Sequence, residues 1–165
     1  MTDLRKERTN LLILSSFNQL LTEKPFTKIT VAEIVKRAMI HRNTFYQHFE
    51  DKYDLLKKYI ERMVNEFDFT KANFKEKPFF AIHQLFLENH LAVVNRQEND
   101  ANFRETVSHA FLNSIIKKAQ TEEIFWIIGK VVAIFVWNES NGNPYDMLHD
   151  YQKLDQFFQR DTFKV

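Results

Sequence analysis

The chain contains no cysteine. That excludes a disulfide framework and thiol chemistry, and a cytoplasmic location is expected. Only 2 glycines and 3 prolines occur in 165 residues. Hairpins and long loops use these residues as breakers, so their scarcity argues for an all-α fold. Long apolar runs are missing too. The nearest, Ile124 to Trp137, is interrupted by Lys130 and falls short of the ~20 residues a membrane helix needs. No membrane partner is expected, and the opening MTDLRKERTN has no signal-peptide pattern. Glycine-rich phosphate loops, GxSxG and HExxH are all lacking, so neither enzyme chemistry nor a cofactor is expected.

What the chain does have is apolar material: 44% of its residues, including 17 phenylalanines. That is enough to fill the core of one compact unit or of two closely packed helical lobes. The net charge is only +1, but it is unevenly placed. Residues 1–64 carry 12 Lys and Arg against 8 Asp and Glu, a net of +4, and the remainder carries −3. An excess of positive charge in the first part suits contact with phosphates.

The densest pattern runs from Lys28 to Leu56. Thr30 and Glu33 are spaced as a capping box that starts a helix, with Val31, Ile34, Val35 and Ala38 on one face. The phase breaks at Ala38-Met39-Ile40, where a turn is expected. A second helix follows from about His41 to His48. Phe45 and Phe49 point inward, leaving Arg42, Asn43, Thr44, Tyr46, Gln47 and His48 outside. These groups suit base edges and phosphates. Asp51 then caps a third helix that carries Lys52 in its first turn. A cation there opposes the helix dipole unless helix end and lysine both face a phosphate.

This segment resembles the N-terminal DNA-binding domain of the TetR family of bacterial transcriptional regulators. The resemblance covers residues 4–60 and rests on Ile29-Thr30-Val31, Ile34, Ala38, Ile40, Thr44-Phe45-Tyr46, His48-Phe49, Lys52 and Leu55. It implies a three-helix helix-turn-helix domain over residues 1–50. It also implies base contacts from Arg42, Asn43 and Gln47, and phosphate contacts from Thr30, His41, Thr44, Tyr46, His48 and Lys52. Three positions depart from the family pattern. Met39 stands where a glycine is usual, which predicts a left-handed or strained turn. His41 stands where serine or threonine often caps the recognition helix, and Asn43 where glycine is frequent.

Residues 51–165 are expected to form a helical dimerisation domain that also holds any effector, about nine helices in all for the chain. Expected helices span Leu4 to Leu21, Asp51 to Phe69, Pro78 to Asn95, Ala101 to Lys118 and Thr121 to Asn141. A last one is expected from Asn143, with Pro144 in its first turn, to Gln159. The stretch from Ile124 to Trp137 is apolar nearly all round, so a second copy of the chain is the economical cover. Ile128, Gly129, Val132, Ala133, Val136 and Trp137 are the expected dimer interface. The spacing of Gly129, Trp137, Gly142, Pro144 and Leu148 resembles a Firmicutes-type subgroup of the TetR family that includes regulators of dihydroxyacetone-kinase operons. There the last two helices pair with their copies as a four-helix bundle. Phe79, Phe86, Phe111 and Phe125, with Phe80 and Trp126, are candidates to line an effector pocket. His83, His90 and His109 are too sparse to argue for a metal site. The resemblance thus implies a homodimeric repressor of a palindromic double-stranded DNA operator, released by a small molecule or a protein partner. The alternatives are a helical adaptor that has lost DNA binding and a coactivator-dependent activator.

Overall fold

The computed structural model describes residues 4–88, 90–118 and 121–160, so Met1, Thr2 and Asp3 of the opening segment and Asn89 within the expected Pro78 helix lie outside the description. Among the described residues there are nine α-helices and no strand: α1 (Leu4–Glu23), α2 (Val31–Arg37), α3 (Arg42–Tyr46), α4 (Lys52–Glu66), α5 (Pro78–His83), α6 (Leu91–Gln97), α7 (Ala101–Lys118), α8 (Glu122–Ser140) and α9 (Tyr151–Arg160). A 3-10 turn (Phe26–Lys28) precedes α2, and a π turn (Gln84–Glu88) follows α5. No helix among the described residues is long and apolar enough to cross a membrane.

Two compact units emerge, Met1–Arg62 with Ala92–Leu112, and Met63–Leu91 with Asn113–Val165. The sequence places a boundary after residue 50. The structure instead groups residues 51–62 and 92–112 with the N-terminal helices. The reason is Phe26, which is fully buried. Its ring meets Phe17 of α1 edge-on, Tyr53 of α4 at 5.0 Å and Phe103 of α7 at 6.1 Å. Ile13, Leu21, Ile34, Phe45, Leu55 and Leu56 complete this core.

The second unit packs α5 against α9 and α8, around Phe79, Leu85, Ile127, Ile134, Leu154 and Phe158. Pro78 stands in the first turn of α5 as expected, but the amides there are satisfied from α9. Asp155 accepts the Phe79 N–H at 2.9 Å and the Phe80 N–H at 3.1 Å. At the far end of α4, Lys118 donates to the carbonyls of Val64, Asn65 and Phe67.

Two helices differ from expectation. The helix foreseen from Pro78 to Asn95 breaks after His83 into the π turn and α6. The last helix starts at Tyr151 rather than beside Pro144. Both Gly142 and Asn143 have positive φ, 79° and 56°. Asn138 then holds the chain in a turn, accepting the Tyr145 N–H at 3.1 Å and donating to the Tyr145 carbonyl at 2.9 Å.

Candidate nucleic-acid interface

The recognition elements are built from local interactions. Thr30 Oγ1 accepts the Glu33 N–H at 3.3 Å, and the Glu33 carboxylate accepts the Thr30 N–H at 3.0 Å. The predicted capping box is therefore complete. Hydrogen bonds from Lys24 and Thr30 hold the Glu33 carboxyl down to about 2, so the box stays ionised at any ordinary pH. Met39 takes φ 51° in the turn, with its side chain 92% exposed. This is the left-handed conformation that the missing glycine predicts. His41 is the N-cap of α3 but gives it no side-chain hydrogen bond.

Phe45 and Phe49 anchor α3 in the core. On its outer side Arg42, Asn43, Tyr46 and Gln47 are exposed, as is His41, and Thr44 is half-buried. Arg42 donates to the Tyr46 hydroxyl at 3.1 Å, and its guanidinium lies 5.6 Å from that ring's centroid. The arginine is thus held along the helix. His48 is half-buried and stacks on Phe49. Burial, followed by the charges of Lys6 and Lys58, pushes it below the ordinary histidine value. The shift favours the neutral imidazole.

Lys52 departs from expectation. Its ammonium donates to the carbonyls of Phe26, Thr27 and Ile29 at 3.0, 3.2 and 2.9 Å, and lies 4.7 Å from the Phe26 centroid. An ammonium has three N–H groups, and all three are engaged. Lys52 thus serves as a structural cap of this turn. Its position against the dipole of α4 is explained by these carbonyls. The sequence could not show this, because the carbonyls lie more than a turn of chain away. Thr30 is also engaged: its hydroxyl serves the capping box and donates to Glu33 Oε2 at 2.9 Å.

Two residues of this unit were missed by the sequence. Gln97 is 1% exposed and bonds to the Phe26 N–H and to the carbonyls of Leu21 and Lys24. Asp100 accepts the Thr27 N–H, the Thr27 hydroxyl and the Phe103 N–H. The only local signal was an aspartate just before the α7 helix, a usual N-cap.

In the second unit the predicted interface residues divide. Gly129, Val132, Ala133 and Val136 are exposed along α8, with Phe125 52% and Trp126 74% exposed beside them. A Cβ added at Gly129 would meet nothing within 4 Å. Ile128 instead faces the chain's own core, and Trp137 is half-buried against Tyr145 and Phe157. One side of α8 thus packs within the unit and cannot also serve a partner. The aromatic residues foreseen as a pocket have different surroundings. Phe79 is solid core, Phe125 is exposed, Phe86 is half-buried in the π turn, and Phe111 belongs to the other unit. His83 packs on Tyr151, its Nδ1 2.7 Å from the Leu148 carbonyl, while His109 lies in the first unit.

Residues 13–59 match the family described as bacterial regulatory proteins, tetR family. A stretch of 68 residues is 35% identical to the HTH-type transcriptional regulator EthR of Mycobacterium tuberculosis, covering 41% of this chain and 32% of that protein. The chain thus matches about a third of the length of this relative. The fold as a whole is similar to a TetR transcriptional regulator from Rhodococcus sp. RHA1, with a TM-score of 0.57 at 17% identity over 96% of this chain and 99% of that one. The family is one of transcriptional regulators, not of enzymes.

Proposed function

We propose that the N-terminal helices, whose residues 13–59 match the tetR family, form a DNA-binding domain, and that the protein is a homodimeric repressor reading a palindromic operator in double-stranded DNA. The observation that carries the proposal is the outer face of α3. Arg42, Asn43, Tyr46 and Gln47 are exposed there, on a helix fixed from behind by Phe45 and Phe49. Arg42, Asn43 and Gln47 read base edges in the major groove. His41, Thr44, Tyr46 and His48 engage the phosphates on either side, whereas the Thr30 donors are spent on Glu33. Two copies join through Gly129, Val132, Ala133 and Val136 of α8, with Phe125 and Trp126 at the end of the same stripe. A mid-helix glycine costs about 1 kcal/mol relative to alanine. Nothing inside the chain requires Gly129, so a close crossing with a second α8 accounts for it. A small molecule or a protein partner binding the second unit releases the operator.

The test is selection of genomic DNA fragments by the purified protein at two salt concentrations, with Arg42→Ala as control. The expected result is a short palindrome, recovered less well at high salt and lost in the variant. Arg42→Ala should cost about 1–3 kcal/mol of specific binding. A folded dimer that recovers nothing above background at low salt overturns the proposal in favour of an adaptor protein.

A further inference from the structure

The segment joining α1 to α2 cannot fix its own shape. It contains a single 3-10 turn, Phe26–Lys28. Such a turn leaves amides unpaired at its start and carbonyls unpaired at its end. Side chains from distant parts of the first unit supply the missing partners. At the start, the Phe26 N–H donates to Gln97 Oε1 at 2.7 Å and the Thr27 N–H to Asp100 Oδ2 at 2.7 Å. The Thr27 hydroxyl donates to the same Asp100 oxygen at 2.9 Å. At the end, Lys52 gathers the carbonyls.

The last turn of α6 also closes α1. Gln97 Nε2 donates to the carbonyls of Leu21 at 2.6 Å and Lys24 at 2.9 Å, and Arg96 Nε to that of Glu23 at 3.0 Å. Asp100 starts α7 by accepting the Phe103 N–H at 3.0 Å. Four backbone groups, one in the last turn of α1 and three in the α1–α2 connection, therefore depend on two side chains that lie some seventy positions away in sequence. That connection runs straight into Thr30, which caps α2, and α2 carries α3.

We infer that Gln97 and Asp100 are positioning residues for DNA recognition: they set the angle at which the α2–α3 pair is presented to the groove. The inference rests on the reading of this unit as DNA-binding. Base contacts need the recognition helix in one orientation, whereas phosphate contacts alone tolerate several. Loosening the connection therefore removes discrimination between sequences while leaving general DNA affinity in place. A merely structural role would lower both together or neither.

The test titrates the selected operator fragment and a scrambled fragment of equal length with four proteins: unaltered, Gln97→Met, Thr27→Val and Glu98→Ala. Glu98 is exposed in the same turn and serves as control. Gln97→Met, which keeps the chain length of the side chain and removes its bonds, should lose at least tenfold in operator affinity. Its affinity for the scrambled fragment should stay within twofold. Thr27→Val, at an exposed position that keeps its amide, should shift the same ratio severalfold, and Glu98→Ala should shift neither. Should circular dichroism show Gln97→Met unfolded, Thr27→Val decides. An operator affinity within twofold of the unaltered protein, or equal losses on both fragments, overturns the inference. If the unaltered protein itself prefers neither fragment, the DNA-binding reading fails, and this inference falls with it.

Discussion

In the first unit Lys52 donates to three backbone carbonyls and lies over Phe26; in the second Lys118 donates to three carbonyls and lies over Phe69. Each unit also uses a buried aspartate, Asp100 or Asp155, to accept amides at a helix or turn start distant in sequence. The chain ends of both units are thus closed by the same chemistry: a charged group is placed where the backbone has unpaired partners of opposite sign. The outer surfaces differ. α3 presents amides, a guanidinium and a phenol, whereas α8 presents Phe125, Trp126, Val132 and Val136. A polar exposed helix is suited to groups that carry their own hydrogen-bonding pattern, an apolar one to another apolar surface. Fold and contact surface are set by different residues in each unit, and substitutions can separate them.

The largest separation should come from Val132→Asp. An unpaired carboxylate in the proposed dimer face should cost about 3–5 kcal/mol of association. Sedimentation should find a monomer, and circular dichroism should find the helices intact because position 132 is exposed in the single chain. A dimer of unchanged affinity would move the interface elsewhere. Next come the two lysine caps. Lys52→Met and Lys118→Met keep the hydrophobic stem and remove the donors, and each should destabilise the fold by about 2–3 kcal/mol. Both tryptophans, Trp126 and Trp137, lie in the second unit. Their fluorescence should therefore follow Lys118→Met more closely than Lys52→Met in a denaturant titration.

A smaller and opposite-signed pair concerns Met39 and Gly129. Met39 holds a left-handed φ without being glycine, so Met39→Gly should stabilise the chain by about 1 kcal/mol. Gly129 has room for a methyl group in the single chain. Gly129→Ala should add about 0.5–1 kcal/mol to helix stability while weakening self-association. Thermal melting at two protein concentrations distinguishes these effects. If Gly129→Ala strengthened the dimer, a close crossing at that point would be wrong.

The two aspartates give the mildest contrast, read by pH. Burial pushes Asp155 up from 3.8 to about 6, against the pull of the Phe79 and Phe80 amides and Lys77. Its native form therefore takes up a proton before its unfolded form does. This favours folding below the ordinary aspartate value, and the favour is lost as pH rises through about 6. Asp100 behaves in the opposite sense. Burial raises it, but the Thr27 and Phe103 hydrogen bonds and the Lys52 charge outweigh burial and hold it below 3.8. Its stabilisation is present above the ordinary value and is lost on acidification below it. In urea titrations between pH 4 and 6, Asp155→Asn should flatten a decline of stability with rising pH, while Asp100→Asn should leave that interval unchanged.

These contrasts also explain what could be read from the sequence. The capping box of Thr30 and Glu33, the α7 helix over Ala101–Lys118 and the inward pair Phe45 and Phe49 all depend on spacing within a turn or two. Such features are visible in a linear pattern. Lys52, Gln97 and Asp100 act on backbone groups brought close only by the fold, so the linear pattern pointed Lys52 to a phosphate and passed over Gln97 and Asp100. The late start of α9 has a similar cause. Asn143-Pro144 has the composition of a helix start, but Asn138 claims the following backbone and delays the helix to Tyr151. The apolar character of α8 was plain, but its inner and outer sides were not, because Ile128 and Val132 are equally apolar and only packing tells them apart.

The commitment of Lys52 to carbonyls also changes how the proposed complex responds to its ionic surroundings. A lysine paired with a DNA phosphate sets free a condensed counterion, and each such pair steepens the logarithmic fall of affinity with salt by ~0.9. The helix-turn-helix pattern counts Lys52 among those pairs; here it is committed to backbone carbonyls, in each copy of the proposed dimer. A dimer on its operator should therefore lose affinity with a slope shallower by about 1.8 than the pattern implies. It would stay bound over a wider range of ionic strength, with more of its affinity resting on the shape and bases of the site.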